Sequence, residues 1–202
     1  MSDWERVVFS DETKICRFSS NGRAWCWIED KENIPLHTVN RIVKYGGGDI
    51  MLWSCLTSKG LGALHNIQGR LNARGYIGIL EQDLYSTLQD LEFNVEEVIF
   101  QQDNASVHSA KIVLDWFGRQ LFCVLRWRAQ SPDLNPIENV WASLKRRLNS
   151  YSTPPNGILQ LWKRVQEIFF SISVEECKRL YASMPDQLQL FWLQKGGGQI
   201  FK

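Results

Sequence analysis

The chain opens on an unbroken apolar run, Val7, Val8 and Phe9, that gives way to Ser10 and Asp11. A β-branched and aromatic run of this kind predicts a buried strand ending at those two polar residues. Two more apolar stretches, GGGDIMLWSCLT (46–57) and GALHNIQG (62–69), predict strands joined by the turn SKGL. At Asn72 the period changes. Ile77, Leu80, Leu84, Leu88 and Leu91 recur at spacings of three and four, which predicts an amphipathic helix over 72–91 capped by Asn72. EEVIFQQD (96–103) reads as a strand that finishes on Asp103. SAKIVLDWFGRQ (109–120) places Ile112, Val113, Trp116 and Phe117 on one face of a short helix, and LFCVLRW (121–127) is the last strand.

Beyond that strand the pattern is helical. Ile137, Val140, Trp141, Leu144 and Leu148 turn inward over 136–149. Leu161, Trp162, Val165 and Phe169 do so over 158–171, and Val174, Cys177, Leu180, Tyr181 and Met184 over 174–184. YSTPPNG (151–157) is a break, Pro185 ends the last helix, and KGGG (195–198) marks a tail. The stretch 19–40, with turn chemistry at Asn21–Gly22 and Pro35, reads as a long excursion whose length suggests a functional loop. Strands first, then alternating elements and a helical end predict a mixed α/β domain.

A chain of 202 residues with 44% hydrophobic content and nine Trp fits one globular domain with a real core. The net charge of +1 gives no overall basic field for nucleic acid, although the local cluster Lys145, Arg146 and Arg147 can serve a groove without one. Five scattered cysteines (Cys16, Cys26, Cys55, Cys123 and Cys177) show no paired ligand spacing, so neither a disulfide framework nor a zinc site is indicated. No signal peptide and no apolar run of membrane-spanning length is found, which leads us to expect an intracellular protein with no membrane partner.

Two predicted strands finish on an aspartate, Asp11 and Asp103, and Glu138 opens the helix after the last strand. Ligands of α/β sheets gather at the carboxyl ends of strands. Three converging carboxylates repel one another, and divalent cations remove that cost; Mg²⁺ prefers such oxygen donors and keeps water and phosphate in its shell. Each acid also has a plainer reading. Asp11 can be a turn residue and Asp103 an Asx turn. Asn135 as N-cap, Pro136 at the first helical position and Glu138 two residues on form a capping-box pattern. Capping and metal binding can coexist, since a rigid cap fixes where Glu138 points.

The stretches VVFSDETK, HTVNRIVKYGGGDIMLWSCLTSKGLGALHNIQG, VIFQQDNASVH, WRAQSPDLNPIENVWASLKRR and SMPDQLQ, in this order, resemble the catalytic domain of DDE transposases of the Tc-mariner superfamily. With 34 residues between Asp103 and Glu138, the match is to the branch whose third acid is Glu. The resemblance covers nearly the whole chain. It implies an RNase H-like fold, a mixed five-stranded sheet flanked by helices, with a clamp-loop insertion after the first strand and a helical C-terminus. It implies that Asp11, Asp103 and Glu138 are the catalytic, metal-binding triad, holding two Mg²⁺ or Mn²⁺ ions for cut-and-paste strand cleavage and transfer. DNA, as transposon ends and target, would be the substrate, and the nucleus the compartment. The excursion 19–40, with Trp25 and Trp27, would match the clamp loop that reaches to a second protomer of a homodimer; filling the core with a hairpin is the plain alternative. The expected organisation is a single catalytic domain over 1–202, without the N-terminal helix-turn-helix region of full-length relatives.

Around the triad, Asn104 and Asn139 neighbour the acids and can support them. His108 follows the DN…H pattern and either touches phosphate, orients the site or makes only a local hydrogen bond. Lys145, Arg146 and Arg147 are candidate phosphate contacts or a solvated helix face. The chain departs from the family pattern at Ser106–Val107, where Pro-Lys is common, and at Arg128, where Pro is common; Arg128 can add a phosphate contact. The alternative to a transposase is a domesticated or relic domain that keeps the fold and binds DNA or a protein partner without catalysis.

Overall fold

The computed structural model describes residues 3–17, 48–125 and 135–184. Strand β1 (Val7–Cys16) is the centre of the sheet. On one side β2 (Asp49–Thr57) pairs with it antiparallel over its length, from Phe9 opposite Leu56 to Cys16 opposite Asp49. On the other side β5 (Ile99–Gln101) pairs with it parallel over only three residues, from Val7 opposite Ile99 to Phe9 opposite Gln101. β6 (Cys123–Val124) continues the parallel half. Beyond β2 lie β3 (Gly60–Leu61) and β4 (His65–Ile67), both antiparallel to it.

Three expectations need correction here. The first strand does not end at Ser10–Asp11: it continues to Cys16 because the long β2 supplies hydrogen-bonding partners past the polar residues, and Asp11 lies mid-strand. The sheet has six strands rather than five, in the order β3-β2-β1-β5-β6 with β4 also on β2. The predicted strand 62–69 is in effect interrupted after Gly62, where the chain approaches the helix behind it so closely that the Ala63 amide donates to Thr87 Oγ1 at 2.9 Å. The helix predicted over 72–91 is a run of α1 (Ala73–Ile79), a π-type turn (Leu80–Leu84) and α2 (Tyr85–Asp90), with Asn72 capping it through its side-chain oxygen as expected.

Strand residues alternate between two cores. Val7, Phe9 and Ile15 face α4 (Ile137–Asn149), α5 (Ile158–Phe170) and α6 (Val174–Ala182), while Val8 faces the α1–α2 run and α3 (Lys111–Phe117). Helices therefore cover both faces. Within α4, Ile137, Val140, Trp141 and Leu144 are fully buried, each contributing about 1.5–3 kcal/mol relative to exposure. That stripe fixes the helix, and with it Glu138, against β1. Two residues assigned to inward faces point out instead: Ile112 is 45% exposed and Val174 44%. Each sits in the first turn of its helix, before the packed stripe begins. Leu148, Trp162 and Leu180 are only partly buried, packed at the margin of the first core. The excursion 19–40 with Trp25 and Trp27, Cys26, Arg128, Pro185 and the KGGG tail lie outside the described residues.

Gly62 marks the tightest approach between sheet and helix. A Cβ there would meet Cys55 Sγ at 2.5 Å and the Thr87 side chain at 2.7 Å. We expect Gly62→Ala to destabilise the fold by about 1–3 kcal/mol, seen as a lower denaturant midpoint with an unchanged slope.

Candidate active site

The unequal lengths of the two ladders on β1 create the site. Extending the parallel register two steps beyond Phe9 and Gln101 would bring Asp11 level with Asp103. The pairing stops before that point, and side chains take over from the ladder. Ser10 Oγ donates to the Gln101 carbonyl at 2.9 Å, and Asn135 Nδ2 donates to the Ser10 carbonyl at 3.1 Å. Both carbonyls freed by the parting strands thus find donors, as buried backbone groups must.

Asn135 therefore does not act as the expected cap. The residue preceding α4 is Pro136, no side chain caps the helix, and the Asn135 amide is turned to β1. The bond from Asn135 to Ser10 pins the start of α4 to the strand beside Asp11, one turn from Glu138. Trp141, one turn further along, donates its indole Nε1–H to Asp11 Oδ2 at 3.2 Å. The sequence pattern marks Trp141 only as core. It is core, fully buried, and at the same time a hydrogen-bond donor to the first aspartate.

Asp11 is half-buried, whereas Asp103 and Glu138 are exposed. Burial, then the charges of Glu138, Glu12 and Asp103 in that order, push the Asp11 carboxyl up to about 8, against a bond from a backbone amide. Asp103 moves the other way. Its carboxyl is held below the usual range by the hydrogen bond from His108, aided by the Ala105 amide, which outweigh partial burial. His108 is buried, which disfavours its charge, yet bonds to the Asp103 and Glu12 carboxylates raise it to about 9. The doubly protonated ring donates from Nδ1 to Asp103 Oδ1 at 2.5 Å and from Nε2 to Glu12 Oε1 at 3.2 Å.

The remaining candidates divide. Asn104 and Asn139 are exposed beside the acids. Arg147 pairs with Glu176 at 2.7 Å and donates to Ser171 Oγ, holding α4 to α6. Arg146 is exposed, with a 3.5 Å contact to Ser143 Oγ, and Lys145 is partly exposed. Glu12, absent from the expected site, belongs to it. Its place next to Asp11 in SDE was the available signal, but strand alternation puts it on the opposite face.

The site is thus the gap where β1 parts from β5, and Asp11 there feels the charges of both Glu138 and Asp103. Among the described residues, no three His, Cys, Asp or Glu side chains are drawn together tightly enough to form a ready chelate. In kind, the donors suit a hard divalent cation: all are carboxylates, and Asp11 carries the repulsion that such an ion relieves.

A profile described as DDE superfamily endonuclease matches residues 6–158, a span that takes in all three acids. The chain belongs to the DDE endonuclease superfamily. Within it, the domain groups with the Tc1/mariner transposases. It is 32% identical to the Tc1 transposase of Caenorhabditis elegans over 188 residues, and 34% identical to the Tc3 transposase of the same organism over 194 residues. These alignments cover 93% of this chain in each case, but 67% of the Tc1 protein and 55% of the Tc3 protein. The chain therefore spans between half and two thirds of the length of these relatives. Among solved structures, the Mos1 transposase paired-end complex with the left transposon end superposes with a TM-score of 0.78 at 24% identity, over 96% of this chain and 56% of that one. The crystal structure of the catalytic domain of Mos1 mariner transposase gives 0.69 at 21% identity, over 97% and 85%. The DDE domain shares that RNase H-like fold, as the sequence resemblance implied.

The shifts set a pH dependence. Without divalent ions, folded Asp11 keeps its proton up to about 8, while the unfolded chain releases it near 4, the ordinary carboxylate value. The folded state then binds the extra proton in between, so this contribution to stability is complete below about pH 4 and is lost as pH rises through about 8. His108, raised from 6.5 to about 9, acts with the same sign: its contribution holds below 6.5 and is lost through about 9. We expect the melting temperature of metal-free protein to fall from about pH 5 to about pH 9, and Asp11→Asn to flatten the lower part of that fall. A melting temperature that climbs across this window contradicts the assignment.

Proposed function

We propose that this domain cuts and joins DNA strands by divalent-metal-dependent phosphoryl transfer, in the manner of a cut-and-paste transposase. The observation that carries the reading is Asp11, half-buried at the point where β1 loses its parallel neighbour, with its carboxyl pushed up to about 8 by burial and by Glu138, Glu12 and Asp103. In this reading Asp11, Asp103 and Glu138 would hold two Mg²⁺ or Mn²⁺ ions. Ions bound there supply Lewis-acid activation of a water or a DNA 3′-hydroxyl and stabilise the leaving oxygen. Membership of the DDE endonuclease superfamily supports it, as do Mos1 catalytic-domain structures described with Mg and with Mn.

The chain's own residues have separable tasks. Trp141 and Asn135 fix Asp11 and the start of α4, so that Glu138 is presented from a rigid helix. His108 keeps Asp103 ionised and oriented. In the same reading Lys145 and Arg146, on the helix that carries Glu138, meet phosphates and position DNA without reading its sequence. Pairing of two copies through 19–40, binding of transposon ends and target, and residence in the nucleus belong to the same proposal.

Supercoiled plasmid with Mn²⁺ provides the test. We expect nicking by the native protein, and losses of roughly a thousand-fold or more in Asp103→Ala and in Glu138→Ala, because the members of a catalytic unit fail together. Mg²⁺ should also raise the melting temperature of the native protein, as any ligand of the folded state does. Nicking that persists unchanged in both variants would remove the catalytic reading. Intact folding with neither nicking nor a Mg²⁺-dependent rise would favour a binding domain instead.

A further inference from the structure

Past Phe9 and Gln101 the β1–β5 ladder ends, yet Asp11 and Asp103 sit on the two diverging chains. Another connection crosses that gap. Glu12, the residue after Asp11, accepts a hydrogen bond from His108 Nε2 at 3.2 Å, and the other nitrogen of the same ring donates to Asp103 Oδ1 at 2.5 Å. The ring itself cannot drift. It is 3% exposed and lies against the Tyr76 ring, centroids 4.1 Å apart and planes at 30°. The Tyr76 hydroxyl in turn donates to Gln102 Oε1 at 2.6 Å, so the residue before Asp103 is held by the same aromatic.

The side chain of Asp103 is 55% exposed, and an exposed carboxylate would ordinarily sample several rotamers, an entropy that an incoming ion must overcome. Here the Ala105 amide and His108 both bond to Oδ1, and among the described residues none reaches Oδ2. One oxygen is anchored and the other is left for a ligand. Partners of this kind, behind the groups that touch a metal, set ligand orientation and affinity.

We propose that Glu12 is a positioning residue: through His108 it fixes the spacing of Asp11 and Asp103, and the orientation of Asp103, where the sheet no longer does. Strand alternation makes this economical, since residue 11 faces the cleft and residue 12 grips the strut from the other face of β1. The inference rests on the reading of Asp103 as an ion ligand.

The test measures Mn²⁺ binding by water-proton relaxation in native protein, Glu12→Gln, Glu12→Leu and Asp103→Asn, alongside plasmid nicking across Mn²⁺ concentrations. Glu12→Gln keeps the shape and an acceptor but weakens the grip. We expect its Mn²⁺ affinity to fall about 10–100-fold, with Glu12→Leu lower still, and its nicking rate to recover towards the native value at saturating Mn²⁺. Asp103→Asn should not recover. A lost grip thus appears in the metal concentration needed, a split that simple destabilisation would not produce, and thermal melts of each variant confirm folding. Native-like Mn²⁺ affinity in both Glu12 variants, with weakened affinity in Asp103→Asn, overturns the positioning role alone. Native-like affinity in Asp103→Asn overturns the metal site itself.

Discussion

One strand with two neighbours of unequal length organises this molecule. β1 is held by β2 over eight residues, from Phe9 to Cys16, and by β5 over only three, from Val7 to Phe9, so one edge stays paired while the other opens beyond Phe9. Opening a sheet is expensive because each freed carbonyl needs a new donor. The chain meets that need with Ser10 and Asn135, and each replacement bond also places something. Ser10 ties the parting strands together. Asn135 ties the start of the helix that carries Glu138. The cleft is therefore a repaired break in the hydrogen-bond ladder, not a hollow between finished elements.

Rigidity reaches the site from the core. Four fully buried apolar residues on α4 seat that helix, together contributing on the order of several kcal/mol. The cost of crowding Asp11 against other carboxylates is set against that gain, and the packing wins: the helix stays seated and the strain appears as a carboxyl pushed up to about 8. Trp141 joins the two, with its ring in the core and its indole N–H on Asp11. A residue that serves both purposes couples the position of the site to the integrity of the fold.

Periodicity showed the elements well, because the α4 and α5 stripes and the apolar runs of β1 and β2 report burial directly. The limits of β1 were not legible: Ser10, Asp11 and Glu12 look like a strand end, and only the partner strand, brought in from some forty residues away, shows that they are interior. The split between β3 and β4 was hidden for a similar reason, since the cause is Thr87 on a helix rather than anything local. Asp11, Asp103 and Glu138 stood out through resemblance and spacing. Asn135 was misread because its local pattern fits a cap equally well, and the choice between cap and strand contact is tertiary. Glu12 was passed over because a residue on the far face of a strand cannot be linked by sequence spacing to His108, 96 positions away.

Charge balance ties these parts together. Asp11 feels the charges of Glu138, Glu12 and Asp103, and of these four carboxyl groups His108 bonds to only two, Glu12 and Asp103. Among the described residues, Lys14 is engaged with Asp49 and Arg147 with Glu176. DNA is itself a dense line of negative charge, so an anionic cleft repels the substrate proposed for it. Under the proposed reading, divalent ions are needed twice over. They neutralise the acids that the fold has forced together, and they turn a surface that excludes phosphate into one that binds it. Metal and DNA binding should therefore be linked, each strengthening the other by the same factor.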